Sequence, residues 1–316
     1  MNTTQECQNM LEEDEIDLRE LWQTIKEGKK TIFLTMFVVV TLTFVYVLAT
    51  PNSYKSEAVL MPSAQDSGSS LGGLGGLGGL AAMAGVSLGG GSMTPDVAFQ
   101  SLLNNYNFMK NFVEKNHIYE YYNRDDADKD YVFALGFRGL YDLFHGSKEK
   151  KALSEAEKND AIYKLAKTLQ KKISISADKK SGLITISYTD YDRTYAPKVV
   201  NYFLKDASAY LVMNGLKHIN SQLNYFQKEM ANAEAIELRK NLSEMISKIL
   251  QSKVTMQAKE YYQCDLLTAP KTAYIKDKAK PKRGLILVVA FITSMILGIF
   301  IVFFRNFLKE SKEENL

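Results

Sequence analysis

Two long uncharged apolar segments, one near each end of the chain, place the strongest constraint on its fold. They comprise residues 31–50 and 284–304 of a 316-residue sequence. A helix needs about 20 predominantly apolar residues to cross the hydrocarbon core of a bilayer, and both segments reach that length. The first lacks a small-residue cleavage site and is longer than the ~7–15-residue apolar region of a signal peptide. We therefore predict two transmembrane helices, with residues 51–283 as one loop between them.

Basic residues beside the first segment predict the orientation of the chain. Lys26, Lys29 and Lys30 precede this segment, and lysines favour the cytoplasmic side of a membrane span. The N-terminal residues 1–30 are therefore expected in the cytoplasm, and an even number of spans places the tail 305–316 on the same side. Long loops largely escape this charge rule. The loop is predicted to be extracytoplasmic even though basic residues precede the second segment.

Strand patterns in the loop predict a small mixed sheet. Isoleucines alternate with serine and threonine on both sides of a turn at Asp178–Gly182, which indicates a β-hairpin with one buried face. Further strands are predicted at Tyr54–Met61 and Asp265–Thr268. The hairpin is the clearest local signal in the loop.

Helical patterns account for most of the remaining loop. Pro95 and Asp96, after Thr94 as a possible cap, suit the first turn of a helix. Shorter helices are predicted at about 134–144 and 154–171. A long helical region extends over about 192–262, with breaks expected near Asn214-Gly215. The predicted fold class is α+β: two terminal transmembrane helices flank an extracytoplasmic domain, whose long helices project beyond its small mixed sheet.

A Gly/Leu-rich loop at residues 67–92 has two interpretations. Its composition is typical of a flexible linker. A pure linker does not need apolar side chains, however, and this segment contains Leu71, Leu74, Leu77, Leu80, Met83, Val86 and Leu88. A loop that packs against a neighbour or against the membrane surface is equally consistent with the sequence.

Motifs of common catalytic and metal sites are absent from the sequence. The three histidines have no HExxH spacing, and CxxC, GxSxG and GxxxxGK[ST] patterns do not occur. Cys7 and Cys264 lie on opposite sides of the first predicted span, so no internal disulfide is expected. We predict a non-enzymatic protein with no metal and no cofactor. The predicted loop holds 32 basic and 25 acidic residues, a net charge of +7. Such an excess would attract anionic lipid or glycan but is more often a solvated surface, and no nucleic-acid partner is predicted.

Three aspartates form the most tempting site for chemistry. Asp126, Asp128 and Asp130 have the first spacings of a calcium loop, but Tyr131 and Phe137 stand where glycine and a carboxylate are required. The first two also match the DxD motif of metal–nucleotide sites, which occurs often by chance. A solvated acidic turn is the preferred interpretation.

A basic and proline-containing segment precedes the second predicted span. Its residues are Pro270, Lys278, Lys280, Pro281, Lys282 and Arg283. Bases at a membrane surface gain on the order of 1 kcal/mol each near anionic lipid. One interpretation is a juxtamembrane turn that only anchors the span. The other is a ring of positive charge in an oligomer, which contacts an anionic lipid carrier or a polymerase.

Small residues recur every four positions in the second span. Ala290, Ser294 and Gly298 form a stripe of the kind that lets helix backbones approach closely. Ordinary composition of a membrane helix is the alternative. As a hypothesis, the stripe packs the second span against the first span or against a neighbouring copy.

Several segments, in this order, resemble one family. They are "DEIDLRELWQTIKEGKKTI" before and into the first span, the Gly/Leu-rich run that leads into a helix, "DKKSGLITISYTD", "LRKNLSEMISKILQSKVTMQAKEYYQCDLLTAP" and "PKRGLIL". The ordered set is similar to the Wzz-type polysaccharide co-polymerases, the chain-length determinants of bacterial surface polysaccharides. Relatives often have several prolines before the second span, whereas only Pro270 and Pro281 stand there in this chain.

The resemblance implies a function and a location. Members of this family form rings of several copies in the bacterial inner membrane, with the main domain in the periplasm. They set how many repeat units a Wzy-type polymerase adds. Direct contact with the growing lipid-linked glycan is left open, because scaffold and ruler mechanisms both fit. The implied function is regulation of the chain length of a surface polysaccharide, with lipopolysaccharide O-antigen favoured.

Two alternatives remain at the level of the sequence. The first is a co-polymerase for capsule or exopolysaccharide export that works with a separate tyrosine kinase. The second, of another class, is a membrane-anchored glycosyltransferase that uses Asp126 and Asp128. It predicts metal-dependent turnover of a nucleotide sugar.

Overall fold

A computed structural model of the chain describes residues 18–63, 94–124, 131–145 and 154–313. The Gly/Leu-rich loop at 67–92, the three aspartates at 126, 128 and 130, and Cys7 lie outside the described residues. The helices are α1 (Leu18–Glu27), α2 (Lys29–Ala49), α3 (Pro95–Asn104), α4 (Tyr106–Lys115), α5 (Ile118–Tyr122), α6 (Arg138–His145), α7 (Glu155–Lys172), α8 (Ala196–Asn232), α9 (Ile236–Ala258) and α10 (Arg283–Glu313). The strands are β1 (Tyr54–Pro62), β2 (Ile173–Ala177), β3 (Ile184–Asp190) and β4 (Cys264–Thr268).

The chain divides into two compact units. The described residues of Met1–Asn52, Phe133–Ser147 and Lys280–Leu316 form one, which we call the helix-pair unit. The described residues of Ser53–Val132 and Lys148–Ala279 form the other, the sheet unit. Most of the predicted loop therefore folds as one body.

Within the described residues, the sheet has four strands in the order β2-β3-β1-β4. The predicted hairpin is confirmed as β2 and β3, and β1 pairs with β3 from Tyr54 opposite Asp190 to Leu60 opposite Ile184. All pairings are antiparallel, so the prediction of a mixed sheet is wrong. The alternating pattern identifies which face of a strand is buried but contains no information on its direction.

The path of α8 explains why β4 is antiparallel to β1. The first half of α8 lies in the core of the sheet unit, and its second half packs against α9 in a separate apolar cluster. The chain therefore passes back across the sheet before the two helices pair. It enters β4 at Cys264, opposite the end of β1 at Pro62.

The core of the sheet unit lies between the sheet and the helices α3, α4, α7 and α8. Its largest fully buried side chains include Leu60, Phe99, Leu103, Met109, Phe112, Leu169, Ile184, Ile186 and Phe203. Phe203 makes edge-to-face contacts with Phe108 and Phe112 at centroid distances of 6.1 and 5.9 Å. The helix predicted after Thr94 begins at Pro95, although the Thr94 side chain makes no capping hydrogen bond.

The helical hairpin of α8 and α9 contains a correction to the predicted breaks. Helix α8 is continuous through Asn214-Gly215 over 37 residues, about 55 Å at 1.5 Å per residue. A Cβ atom at Gly215 would lie 2.7 Å from the sulfur of Met256. The glycine therefore permits close contact between the two helices. The break occurs instead between α8 and α9, around Ala233 to Ala235.

The helix-pair unit contains the two predicted apolar helices. Residues Lys29–Ala49 and Arg283–Leu308 are each long and apolar enough to cross a membrane. Large apolar side chains such as Phe33, Leu42 and Phe300 are more than half exposed on these helices. This pattern is typical of a lipid-facing surface, because a water-soluble helix pair would bury such residues.

Candidate functional site

The close approach of α2 and α10 is the first element of the candidate site. A Cβ atom at Gly298 of α10 would lie 2.7 Å from Oγ1 of Thr35 and 3.1 Å from the Cα atom of Ile32 in α2. Gly298 therefore lies directly against the backbone of the first predicted span. Packing of the whole stripe against the first span or against a neighbouring copy stays a prediction.

The other two members of the stripe lie in the same helix. Ala290 is 8% exposed and Ser294 is fully buried. The Ser294 hydroxyl donates to the carbonyl oxygen of Phe291 in its own helix at 2.7 Å. It therefore satisfies its hydrogen bond without a partner on another helix, and its contribution to helix contact is its small size.

A second glycine contact was missed by sequence reasoning. A Cβ atom at Gly28, just before α2, would overlap the side chain of Val302 in α10. Gly28 precedes the first apolar segment. A pattern of small residues within the predicted spans therefore does not include it. Together with the Gly298 contact, it establishes that α2 and α10 run antiparallel, since residue 28 lies near residue 302 and residue 32 near residue 298.

Arg283 joins the other ends of the two helices. Its guanidinium donates to Oδ1 of Asn52 at 2.6 Å and to the carbonyl oxygen of Thr50 at 3.0 Å. Nε donates to the carbonyl oxygen of Val47 at 3.4 Å. These carbonyl groups lie at the C-terminal end of α2, where unpaired oxygens and the helix dipole both favour a cation. Of the predicted basic residues, Arg283 thus has a structural role that its position in the sequence did not indicate.

We expect replacement of Arg283 by glutamine to destabilise the helix pair by about 1–3 kcal/mol, because charge-assisted hydrogen bonds contribute roughly that much each and the carbonyls lose their donor. The measurement is the Tm of the full-length protein in detergent. Arg283→Lys, which keeps the charge but loses the planar fork, should recover part of the loss. Equal Tm values for wild type and the glutamine variant would contradict the proposed role of Arg283.

The segment from Pro270 to Ala279 is held along the start of β1. The Ser56 hydroxyl donates to the carbonyl oxygen of Lys271 at 2.9 Å, and Tyr54 Oη donates to that of Ile275 at 3.2 Å. The backbone N–H of Ala279 donates to the carbonyl oxygen of Ser53 at 2.8 Å. The segment is therefore an ordered extension of the sheet unit.

The lysines of the basic segment before the second span have exposed side chains. Lys278, Lys280 and Lys282 have exposed side chains, whereas Arg283 is half-buried. The bond between Lys280 and Pro281 is cis. Lys278 belongs to the sheet unit, and the other bases belong to the helix-pair unit. Exposed ammonium groups on an ordered backbone are able to contact an anionic headgroup or an acidic protein surface.

A buried cluster of one carboxylate and two tyrosines was also missed by sequence reasoning. Asp190 is 2% exposed. Its Oδ2 accepts hydrogen bonds from the hydroxyls of Tyr122 and Tyr188, the latter at 3.0 Å. The Nζ atom of Lys172 lies 3.8 Å from its Oδ1. An aspartate at the end of a predicted strand is typical of a turn, and the sequence contains no signal that it is buried.

The electrostatics of this cluster follow from its burial. Desolvation raises the pKa of Asp190 to about 7, and the nearby charge of Asp192 contributes to the increase. Burial also lowers the pKa of Lys172. The two directions agree: ionised forms are disfavoured in the cluster, and the 3.8 Å ion pair does not offset the desolvation. We therefore expect the contribution of this cluster to the stability of the folded chain to depend on pH.

The neighbouring Asp192 has the opposite behaviour. Burial alone would raise its pKa, but hydrogen bonds from Tyr121, Thr194 and the backbone lower the pKa overall. Its Oδ1 accepts from the N–H and hydroxyl of Thr194, both at 2.7 Å, and from the N–H of Tyr195 at 3.2 Å. Asp192 therefore stabilises the start of α8 as an ionised carboxylate.

Within the described ranges, no group of three or more His, Cys, Asp or Glu side chains is arranged to hold a metal ion. Cys264 is a buried free thiol whose pKa is raised to about 12 by burial and by nearby carboxylates. A thiol with that pKa is a poor nucleophile at neutral pH.

Comparison with known proteins identifies one family. The family described as "Wzz: Chain length determinant protein" matches residues 14–115, about a third of the chain. The family resemblance derived from the ordered segments is therefore confirmed over this part. The printed description of the family names chain-length determination. No curated protein matches the sequence.

Among solved structures, one similar chain is described as "full-length bacterial polysaccharide co-polymerase". It is 14% identical in sequence, with a TM-score of 0.35. The alignment covers 94% of this chain and 99% of the other.

Proposed function

We propose that this chain, whose residues 14–115 match the chain-length determinant family, is an inner-membrane polysaccharide co-polymerase. It regulates the chain length of a bacterial surface polysaccharide, the O-antigen of lipopolysaccharide, by acting with a Wzy-type polymerase. The observation that supports this most strongly is the family match across the first apolar helix, β1 and the first two helices of the sheet unit. The protein acts through assembly and contact, without catalysis of its own.

The orientation in this proposal places the sheet unit in the periplasm and both termini in the cytoplasm. The antiparallel pairing of α2 and α10 supports ends on one side, and Lys26, Lys29 and Lys30 favour the cytoplasm for that side. We expect Lys179→Cys, in the exposed turn between β2 and β3, to react with a membrane-impermeant thiol reagent in cells whose outer membrane is permeabilised. Cys7 should be protected until the inner membrane is opened. The reverse labelling pattern would contradict the orientation.

Self-assembly of several copies into a ring is part of the proposal. Apolar side chains remain exposed along the helical hairpin, including Tyr225 at 59%, Ile236 at 86% and Val254 at 65%. Exposed apolar residues on a periplasmic surface favour contact with another copy.

The test of the function is the polysaccharide produced with and without the gene. We expect deletion to replace a modal O-antigen length by a broad distribution dominated by short chains, and a plasmid copy to restore the mode. Capsule and secreted polysaccharide are measured in the same strains. A change confined to capsule would assign the protein to that system, and no change in any polymer would contradict the proposed function.

The exposed lysines provide a sharper prediction within the proposal. We expect Lys278→Gln with Lys282→Gln to shift the modal length, because exposed lysines that precede the second span are able to contact an anionic lipid-linked glycan. Arg283 is left intact because it joins α2 and α10. Lys179→Gln with Lys180→Gln, in the exposed turn between β2 and β3, is the matched control and should retain the wild-type mode. A wild-type length distribution in both variants would leave the basic segment as an anchor only.

A further inference from the structure

The segment Phe133–His145 belongs to the helix-pair unit, although its sequence position is in the middle of the loop. Phe133 forms an isolated antiparallel bridge with Pro51, which follows the last turn of α2. Helix α6 also packs near α2. The segment is therefore held at the end of the helix pair from which the loop emerges.

Helix α6 is amphipathic, and two large side chains of its apolar side are exposed while Leu140 and Tyr141 are half-buried. Arg138, Asp142 and His145 lie on one side of the helix at i, i+4 and i+7, and the carboxylate of Asp142 is 3.7 Å from Arg138 Nε. Leu143 and Phe144 lie on the other side and are 77% and 64% exposed. A helix on a water-soluble domain normally buries such a face.

The turn before α6 adds two more exposed apolar side chains. Leu135 has φ +53°, in the left-handed region that is unfavourable for leucine, and Gly136 follows with φ +74°. This turn leaves Leu135 82% and Phe137 47% exposed. Four large apolar side chains within ten residues are thus unburied in the described part of the chain.

The surroundings of this segment identify what covers it. At the same end of the helix pair, Tyr46 of α2 and Leu285 of α10 are each 63% exposed. They belong to the apolar surface that faces lipid in a spanning helix pair. Helix α6 lies near α2, and Phe133 before it bridges to Pro51 just after α2. The exposed side chains of α6 therefore lie beside the end of a helix that faces lipid. A short helix with a charged face and a Leu/Phe face at this position has the properties of an interfacial membrane element.

We propose that Leu135, Phe137, Leu143 and Phe144 insert into the membrane–water interface of the leaflet from which the loop emerges. In this arrangement the lipid acyl chains cover the apolar side chains, and Arg138, Asp142 and His145 remain in water. The segment is a third membrane contact of the chain, in addition to the two spans. The proposal requires that α2 and α10 span the membrane, and it does not depend on the proposed function in polysaccharide synthesis.

Tryptophan fluorescence of the full-length protein in lipid nanodiscs tests this inference. The only native tryptophan, Trp22, is first replaced by phenylalanine. Phe144→Trp then places a probe on the apolar side, and Asp142→Trp places a matched probe on the polar side of the same helix. We expect lipids brominated on their acyl chains to quench the first probe at least about twofold more than the second, since apolar side chains of interfacial helices reach the acyl boundary.

Two results would overturn the inference. The first is equal quenching of the two probes. The second is no quenching of the Phe144→Trp probe together with a smaller particle mass for Leu143→Ser with Phe144→Ser, which would assign the face to contact between copies. Leu143→Trp provides a second probe on the apolar side if Phe144→Trp does not fold. Particle size and Tm, compared with the parent, verify that each variant is folded.

Discussion

Replacement of Gly298 by leucine should separate α2 from α10 and lower the Tm of the full-length protein. A Cβ atom at this position would lie 3.1 Å from the Cα atom of Ile32, and a backbone atom has little freedom to move away. Overpacking of a tight contact costs about 1–3 kcal/mol, and we expect the upper end of that range because α2 must shift as a whole. Thermal unfolding in detergent, followed by circular dichroism, measures the effect.

The chain contains a matched control for this substitution. Gly284 lies in the same helix, and a Cβ atom there would meet no atom within 4 Å. Gly284→Leu adds the same apolar volume and removes the same backbone freedom, so it should leave the Tm unchanged or raise it slightly. Equal Tm values for the two variants would contradict the packing of Gly298 against α2.

Replacement of Asp190 by asparagine should remove a pH dependence from the stability of the protein. The pKa of Asp190 is about 7 in the folded chain, above its ordinary value of 3.8. The folded state therefore binds a proton more tightly than the unfolded state between these values. The stability that this proton contributes is complete below about pH 4 and decreases as the pH rises to about 7. The total change is at most on the order of 4 kcal/mol, from about 1.4 kcal/mol per pKa unit.

The measurement for Asp190 is the Tm of the full-length protein between pH 4 and pH 8. Wild type should lose stability across this range relative to Asp190→Asn, because asparagine keeps the neutral form at every pH. Asp192→Asn is the comparison: the pKa of Asp192 is lowered in the folded chain, so this variant should lose stability at neutral pH. If the Tm of wild type and the Tm of Asp190→Asn change with pH in parallel, folding does not raise the pKa of Asp190, and the prediction is contradicted.

The parts of the fold that follow a repeating pattern could be predicted from the sequence. The uncharged runs predict α2 and α10, and the alternation of isoleucine with serine and threonine predicts β2 and β3. Both signals depend on neighbours in the sequence, and the structure confirms them. The direction of β4 relative to β1 depends on the path of α8 across the sheet. A local sequence pattern contains no information on that path.

The contacts that define the candidate site depend on residues far apart in the sequence. Gly298 was singled out because small residues recur in its helix, whereas Gly28 stands alone and its contact with Val302 requires the antiparallel pair. Arg283 was grouped with neighbouring lysines by charge. Its hydrogen bonds to Asn52 and Thr50 distinguish it from them. The burial of Asp190 at the end of β3 likewise depends on Tyr122 of α5 and Lys172 of α7.

Reconstituted polymerisation tests the central proposal most directly. Proteoliposomes contain a Wzy-type polymerase and lipid-linked repeat units, with or without the full-length protein, and the lengths of the glycan products are measured. We predict that the protein changes a broad distribution into one with a defined modal length and produces no polymer without the polymerase. An unchanged distribution, or consumption of a nucleotide sugar by the protein alone, would contradict a non-enzymatic role in chain-length regulation.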